Sequence, residues 1–299
     1  MQTNGARTEG REIAFVAEFV HEPGGDLGRC LEFLDAAAEL GCRGVRFQQL
    51  RLDRAFAPAA LGRDPRLLRR RGPELPESLP PELATRARAR GLTFASTPHY
   101  LEAVPLLEPW VDSFRVSTYH ILWNELLTEV ARTQKPVVLG TGMANLSEVK
   151  AAVDVLWNGG CRDLLLLHSV SSYPVRPFEA NLAAMGTLRQ AFGAPVGWAD
   201  RTVDPGVVLR AIHRWEAAQL ELQLDLFGDG EELVGGPCWL PEAARRVIAK
   251  SAARRREGEM SPLDGTGHVT PGAGEITERG WRADPADGLR PLREIRSEW

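Results

Sequence analysis

Two arginines and a glutamate stand inside segments whose neighbours are apolar. Arg46 lies within GVRFQ, Arg115 within SFRVS, and Glu18 closes IAFVAE. An ion buried in such a strand without a partner is costly, so a ligand or a countercharge such as Glu18 or Asp200 must answer each arginine. Other polar residues gather at the ends of the remaining strand-like segments. They are Gln48, Ser96 and Thr97 before Pro98–His99, then Ser117, Thr118 and His120, then Gly140–Thr141–Gly142–Met143. They continue with His168, Ser171, Ser172 and Tyr173, with Asp200–Arg201–Thr202, and with Glu221 and Gln223. Arginines, hydroxyls and glycine-rich backbone on one rim make a receptor for an anion, above all a phosphorylated one. Glu18 is then the group left for acid–base work. His168 has two readings, a catalytic imidazole or a structural one bonded beneath the pocket. His99 is either a helix cap or a substrate contact, and Gly140–Thr141–Gly142 is also readable as a turn needed for its φ angles.

The elements that must position these groups are legible in the patterning. Leu164–Leu167 run without alternation into His168, as in a strand covered on both faces of a parallel sheet. Pro174 and Pro177 end the loop that follows, and Phe178–Phe192 reads as the return helix. The same unit repeats along the chain. Strands are expected at Ile13–Glu18, Gly44–Gln48, Leu92–Thr97, Ser113–Ser117, Pro136–Gly140, Pro195–Ala199 and Leu220–Leu224. Helices are expected at Leu27–Leu40, Pro81–Arg90, Tyr100–Leu107, Leu122–Thr133, Ser147–Trp157 with Ser147 as N-cap, Pro205–Glu216 and Pro241–Arg254. Eight β-α units over residues 1–254 imply a (β/α)8 TIM barrel, an α/β fold with its chemistry at the carboxyl ends of the strands. A doubly wound sheet is the alternative, but no G-x-G-x-x-G follows the first strand. Residues 49–79 lack periodicity and form a long loop of the functional kind. Residues 255–299 are poor in aliphatic side chains and read as a C-terminal arm, pinned by Trp281, Leu289, Leu292, Ile295 and Trp299.

Bulk properties narrow the function. The 299 residues carry a net charge of -4, which gives no reason to expect nucleic acid, and Arg69–Arg70–Arg71 reads as a solvated patch. No apolar run approaches a membrane span, and the N-terminus lacks the hydrophobic region of a signal peptide. Cys30, Cys42, Cys161 and Cys238 show no C-x-x-C pairing and read as reduced core thiols of a cytoplasmic protein.

The segments FASTPH, SFRVST, QKPVVLGTGMA, LLHSVSSYP, FEANL and GWADRT, in this order and spacing, resemble the N-acetylneuraminate (sialic acid) synthase family over residues 12–250. The resemblance implies condensation of phosphoenolpyruvate with an open-chain sugar aldehyde. Carbon 3 of phosphoenolpyruvate attacks the aldehyde, water adds at carbon 2, and phosphate leaves by C–O cleavage. It further implies that Arg46, Thr97, Arg115, Thr118 and Ser171 meet the phosphate and carboxylate. The family usually has lysine at the positions of Arg46 and Arg115. Glu18 would then stand near the reacting carbons, with Gln48 and Tyr173 lining the acceptor side. A homodimer is expected.

The departures from the family pattern fall on the acceptor and metal side. Its Ser-Asp-His at the seventh strand is here Ala199–Asp200–Arg201, and its second metal histidine is Gln223, two residues after Glu221. His21–Glu22–Pro23 replaces an Asn-His pair, and His120 replaces an asparagine or acidic residue. The C-terminal antifreeze-like domain is not recognisable in the arm. These changes lead to the expectation of a metal-independent synthase whose acceptor is not N-acetylmannosamine, with Arg201 as hydrogen-bond donor to the developing alkoxide. The arm, through Arg282 or Arg290, is a candidate to replace lost acceptor contacts. A shifted Mn²⁺ or Mg²⁺ site using Asp200, Glu221, Asp225 or His168 is the rival reading. Two other functions stay open: a lyase, aldolase or phosphonate-processing enzyme on a related anion, and a binding protein without chemistry.

Overall fold

A computed structural model describes residues 13–19, 26–63, 74–226, 228, 238–253 and 258–298. Eight parallel strands close into a barrel in chain order: β1 (Ala14–Phe19), β2 (Gly44–Gln49), β3 (Thr93–Pro98), β4 (Ser113–Val116), β5 (Val137–Gly140), β6 (Leu164–His168), β7 (Val196–Asp200) and β8 (Gln219–Leu224). β1 pairs with both β2 and β8, so Glu18 lies in register with Arg46 on one side and Gln223 on the other. The helices are α1 (Leu27–Glu39), α2 (Leu52–Ala55), α3 (Pro58–Arg63), α4 (Pro80–Ala89), α5 (Ala103–Leu107), α6 (Asn124–Arg132), α7 (Leu146–Asn158), α8 (Ala184–Phe192), α9 (Pro205–His213) and α10 (Pro241–Ser251). This is the TIM barrel expected from the repeating pattern.

Alternation along each strand divides two cores. Phe19, Phe47 and Phe94 point outward, where Phe47 meets Phe19 and Phe33 of α1 edge to face and Phe19 lies tilted on Phe33. Val138, Leu167 and Ala199 form a separate buried cluster with Leu165, which fills the lumen on the β5–β7 side. All four cysteines are buried thiols.

Three local expectations are corrected. Residues 49–79 are not one structureless loop: α2 and α3 lie within it, too short to show a helical period, and residues 64–73 lie outside the described residues. Phe178–Phe192 does not form one helix, because a 3-10 turn at Pro177–Glu179 precedes α8. The N-cap of α7 is Asn145, not Ser147. Its side chain accepts from the Glu148 amide at 2.9 Å while Glu148 caps the Asn145 amide, a reciprocal pair that sets the helix start two residues earlier.

The arm crosses the barrel's carboxyl end as a string of 3-10 turns at Pro262–Asp264, Ala273–Glu275, Glu278–Trp281 and Arg293–Glu298. Asp264 takes a bidentate contact from Arg210 of α9 at 2.8 and 2.6 Å and a bond from the Trp215 indole at 2.6 Å. Farther on, Arg279 and Arg282 both hold Glu148 of α7, at 2.9 and 3.0 Å. Trp281 packs with Leu52 and Ala55 of α2, Ala60 and Leu61 of α3, and Phe56 between them. Arg282, a candidate for contact with an acceptor, is thus spent on Glu148. Trp299 lies outside the described residues.

Candidate active site

Five acidic and basic side chains, from β1, β2, β4, β8 and the end of β7, meet inside the barrel. One carboxylate oxygen of Glu18 meets the Arg46 guanidinium, and the other accepts from Arg201 Nη2 at 2.6 Å. Arg46 Nη1 donates to Thr97 Oγ1 at 2.9 Å. Arg115 Nε stands 3.1 and 3.2 Å from the two oxygens of Glu221, which also lies 3.8 Å from Arg46 Nε. Glu18, Arg46, Arg115 and Glu221 are all buried. The partners that Arg46 and Arg115 require are therefore carboxylates of the protein. Within this cluster three guanidiniums face two carboxylates, an excess of one cation among the five.

That balance governs ionisation. Burial pushes Glu18 upward, but the charges of Arg201 and Arg46, with a smaller share from Arg115, outweigh it and bring its pKa to about 2. Glu18 is a carboxylate throughout the neutral range. Burial works against the charge on Arg201, yet Glu18 beside it holds its pKa above the usual arginine value. For Arg115 burial dominates, lowering its pKa despite Glu221.

Around this cluster runs a rim of neutral donors and acceptors. The hydroxyls of Thr118 and Ser171 lie 3.4 Å apart. Gln223 Nε2 reaches toward the Tyr173 hydroxyl at 3.5 Å, while Gln223 Oε1 has no partner among the described residues. Gln48 Oε1 meets His99 Nε2 at 3.0 Å, and the His99 ring stands edge-on to His120 with centroids 4.8 Å apart. His120 is fully buried with neither ring nitrogen hydrogen-bonded among the described residues, and burial, with a smaller effect of Arg290, takes its pKa to about 3. It is a neutral imidazole. Gly140 makes the rim possible, since a Cβ there would stand 2.5 Å from Arg115 Nη1 and 2.9 Å from Thr118 Cγ2.

Three residues expected in this constellation face elsewhere. His168 shares the outward parity of Leu166, packs on Trp198 at 5.2 Å, and places Nε2 within 3.0 and 3.1 Å of the Ala180 and Asn181 carbonyl oxygens. Burial takes its pKa to about 4, with those carbonyls opposing. It is the structural histidine of the two readings. Ser96 shares the parity of Phe94 and looks toward the helices, not the lumen. Asp200 also points away. Its carboxylate accepts from the indoles of Trp198 and Trp239 at 3.0 and 2.8 Å, from Thr202 at 2.7 Å and from the Val203 amide at 2.9 Å. Burial nevertheless raises its pKa above the usual value. His21, Glu22 and Pro23 lie outside the described residues.

One participant was missed. Glu275 of the arm accepts the backbone N–H of Ser171 at 2.7 Å and of Met143 at 2.9 Å through a single oxygen. No periodicity or motif in the arm marks it.

A family model described as the NeuB family matches residues 33–221. An N,N'-diacetyllegionaminic acid synthase of Campylobacter jejuni is 30% identical over 215 residues, 68% of this chain and 64% of that protein. An uncharacterized protein of Methanocaldococcus jannaschii is 43% identical over 123 residues, 41% of this chain and 36% of its own length. The chain thus spans less than two thirds of either relative. The crystal structure of the Bacillus subtilis spore coat polysaccharide biosynthesis protein SpsE superposes with a TM-score of 0.77 at 25% identity, covering 90% of this chain and 77% of that one.

Proposed function

Because the chain belongs to the NeuB family, we propose that it is a phosphoenolpyruvate-dependent synthase that joins this three-carbon anion to a sugar aldehyde and releases phosphate. The observation that carries the reading is the Glu18–Arg46–Arg201 and Arg115–Glu221 cluster, with its excess positive charge and its ring of hydroxyls. Arg46 and Arg115 bind the phosphate and carboxylate together with Thr97, Thr118 and Ser171. Each charge-assisted contact in such a site contributes about 1.5–3 kcal/mol.

As carbon 3 attacks the aldehyde, positive charge develops at carbon 2 and negative charge on the aldehyde oxygen. Glu18, ionised at neutral pH, stabilises the first and takes the proton of the water that adds there. Arg201 donates to the second. The alkoxide takes that proton from Glu18, and loss of phosphate by C–O cleavage, carrying off the proton of the carbon 2 hydroxyl, leaves the 2-keto acid. Gln48, Tyr173, Gln223 and the unpartnered imidazole of His120 offer neutral hydrogen bonds to acceptor hydroxyls.

The donor set does not fit the divalent metal that the resemblance implies. Where an imidazole would hold the ion stands Arg201, a permanent cation already paired with Glu18, and the second position is the amide Gln223. Among the described residues no group of three or more His, Cys, Asp or Glu side chains could hold a metal. Of the rival ligands, His168 and Asp200 face the helices. The reading is therefore of a metal-independent reaction with an acceptor other than N-acetylmannosamine. Incubation with phosphoenolpyruvate and a panel of aldehydes, in chelator, should give acceptor-dependent phosphate release. Phosphoenolpyruvate binding without release for any aldehyde would leave the synthase reading without support, and activity restored only by Mn²⁺ or Mg²⁺ would overturn its metal independence.

A further inference from the structure

We propose that Glu275 is a positioning residue: by bridging the backbone amides of Met143 and Ser171 it fixes the loops after β5 and β6, so that the C-terminal arm completes the anion site. The proposal rests on the reading of that site given above. Glu275 is buried, and its Oε1 accepts both N–H groups while Oε2 accepts the Gly272 amide at 2.9 Å. The two bridged amides belong to different loops, so the carboxylate sets the distance between them.

What those loops touch gives the bridge its consequence. Along the first, Gly140 is packed so closely that a Cβ would collide with Arg115 Nη1 and Thr118 Cγ2. Gly142 is packed equally closely on the second loop, its Cβ position lying 2.7 Å from both Ser169 Oγ and Ser171 Oγ. Outward movement of the second loop would separate the Ser171 hydroxyl from that of Thr118, now 3.4 Å away. Between the glycines and the bridge, Met143 adopts φ 59°, a left-handed conformation that a residue with a Cβ keeps only when its surroundings impose it. The arm imposes it from both sides. Glu275 takes the Met143 N–H, and Arg279 Nη1 donates to the Met143 carbonyl.

The other role open to a carboxylate on two amides is that of an internal anion competing with the ligand. The anchors on either side argue against it. Asp264 is held by Arg210 and Trp215 on one flank, and Arg279 and Arg282 hold Glu148 on the other, which keeps the intervening turn in place. A latch and a competitor predict opposite signs on neutralisation.

The test uses the full chain with phosphoenolpyruvate as probe, followed by calorimetry, and amide hydrogen exchange at Met143 and Ser171. Glu275→Ala should weaken binding about tenfold, the scale of losing two hydrogen bonds to one acceptor, and should speed exchange at both amides. Glu275→Gln should restore both readouts in part, since its carbonyl oxygen still accepts the two N–H groups while its amide nitrogen gives up the Gly272 contact. Should the alanine variant fail to fold, Glu275→Asp, shorter by one methylene, replaces it with the same expected directions. Tighter binding in both Glu275→Ala and Glu275→Gln would overturn the latch, as would unchanged exchange at the two amides in Glu275→Ala. If the unaltered chain does not bind phosphoenolpyruvate, the functional reading fails, and the exchange arm alone still decides the latch.

Discussion

Glu18 and Asp200 are both buried carboxylates at the carboxyl ends of strands, yet they lie on opposite faces of the barrel wall and behave in opposite ways. Asp200 collects four hydrogen bonds, all from neutral donors, and burial still raises its pKa. Glu18 meets two guanidiniums and is held at about 2. The charge of the donors, not their number, decides which way each pKa moves. Asp200 ties β7 to Trp239 beyond β8, whereas its neighbour Arg201 turns into the lumen. The wall of the barrel separates chemistry from scaffolding within a single peptide bond.

Exchanging or neutralising groups on the two faces should break this contrast if it is wrong. On the lumen side, Glu18→Gln should lower the rate of phosphate release by about 10³-fold, the scale of a lost acid–base or charge-stabilising group. A loss below tenfold in steady-state assays would move the chemistry elsewhere. On the helix side the effects should fall on stability. His168 binds a proton less well in the folded state, with a pKa near 4 against 6.5. Its contribution is thus fully present above 6.5 and is lost as pH falls through that value toward 4, by up to about 3 kcal/mol. Denaturant titrations at several pH values should show a shallower pH slope in His168→Gln, with turnover per folded molecule unchanged. Asp200→Asn should cost roughly 2 kcal/mol, since an amide group would face donors that have no other acceptor, again without loss of turnover in the folded fraction. The smallest effect belongs to the lumen: Arg115→Lys keeps the cation but loses the fork on Glu221, and should weaken phosphoenolpyruvate about tenfold by calorimetry.

The contrast also marks what could be read in the sequence. The barrel was legible because apolar strands and amphipathic helices alternate along the chain, and the lumen ions were legible because charge inside such a strand must be answered. Facing was not. A parallel strand covered on both sides is apolar at every position, so LLLLH offers no alternation to tell which way His168 turns. Parity gave a partial signal at β7: Asp200 and Arg201 are adjacent and cannot both enter the lumen. The turn-rich arm carries no period at all, and its functional contact, Glu275, becomes visible only once the loops it bridges are in place. The start of α7 was misplaced because Ser147 and Asn145 are both good caps, and the reciprocal bond with Glu148 favours the earlier.

The arm's contacts have a consequence for the order in which the molecule assembles. Each strand pairs with the next one along the chain, except where β8 closes on β1. The bonds from Glu275 to Met143 and from Glu278 to Tyr119 instead span 132 and 159 residues. Contacts that close such long loops bear a larger entropic cost and are made late. The β1–β8 seam closes a longer stretch still, so closure of the wall and docking of the arm should both follow the pairing of neighbouring strands. During synthesis the arm leaves the ribosome after every strand, so its bonds to Tyr119, Met143 and Ser171 are made to loops that already exist.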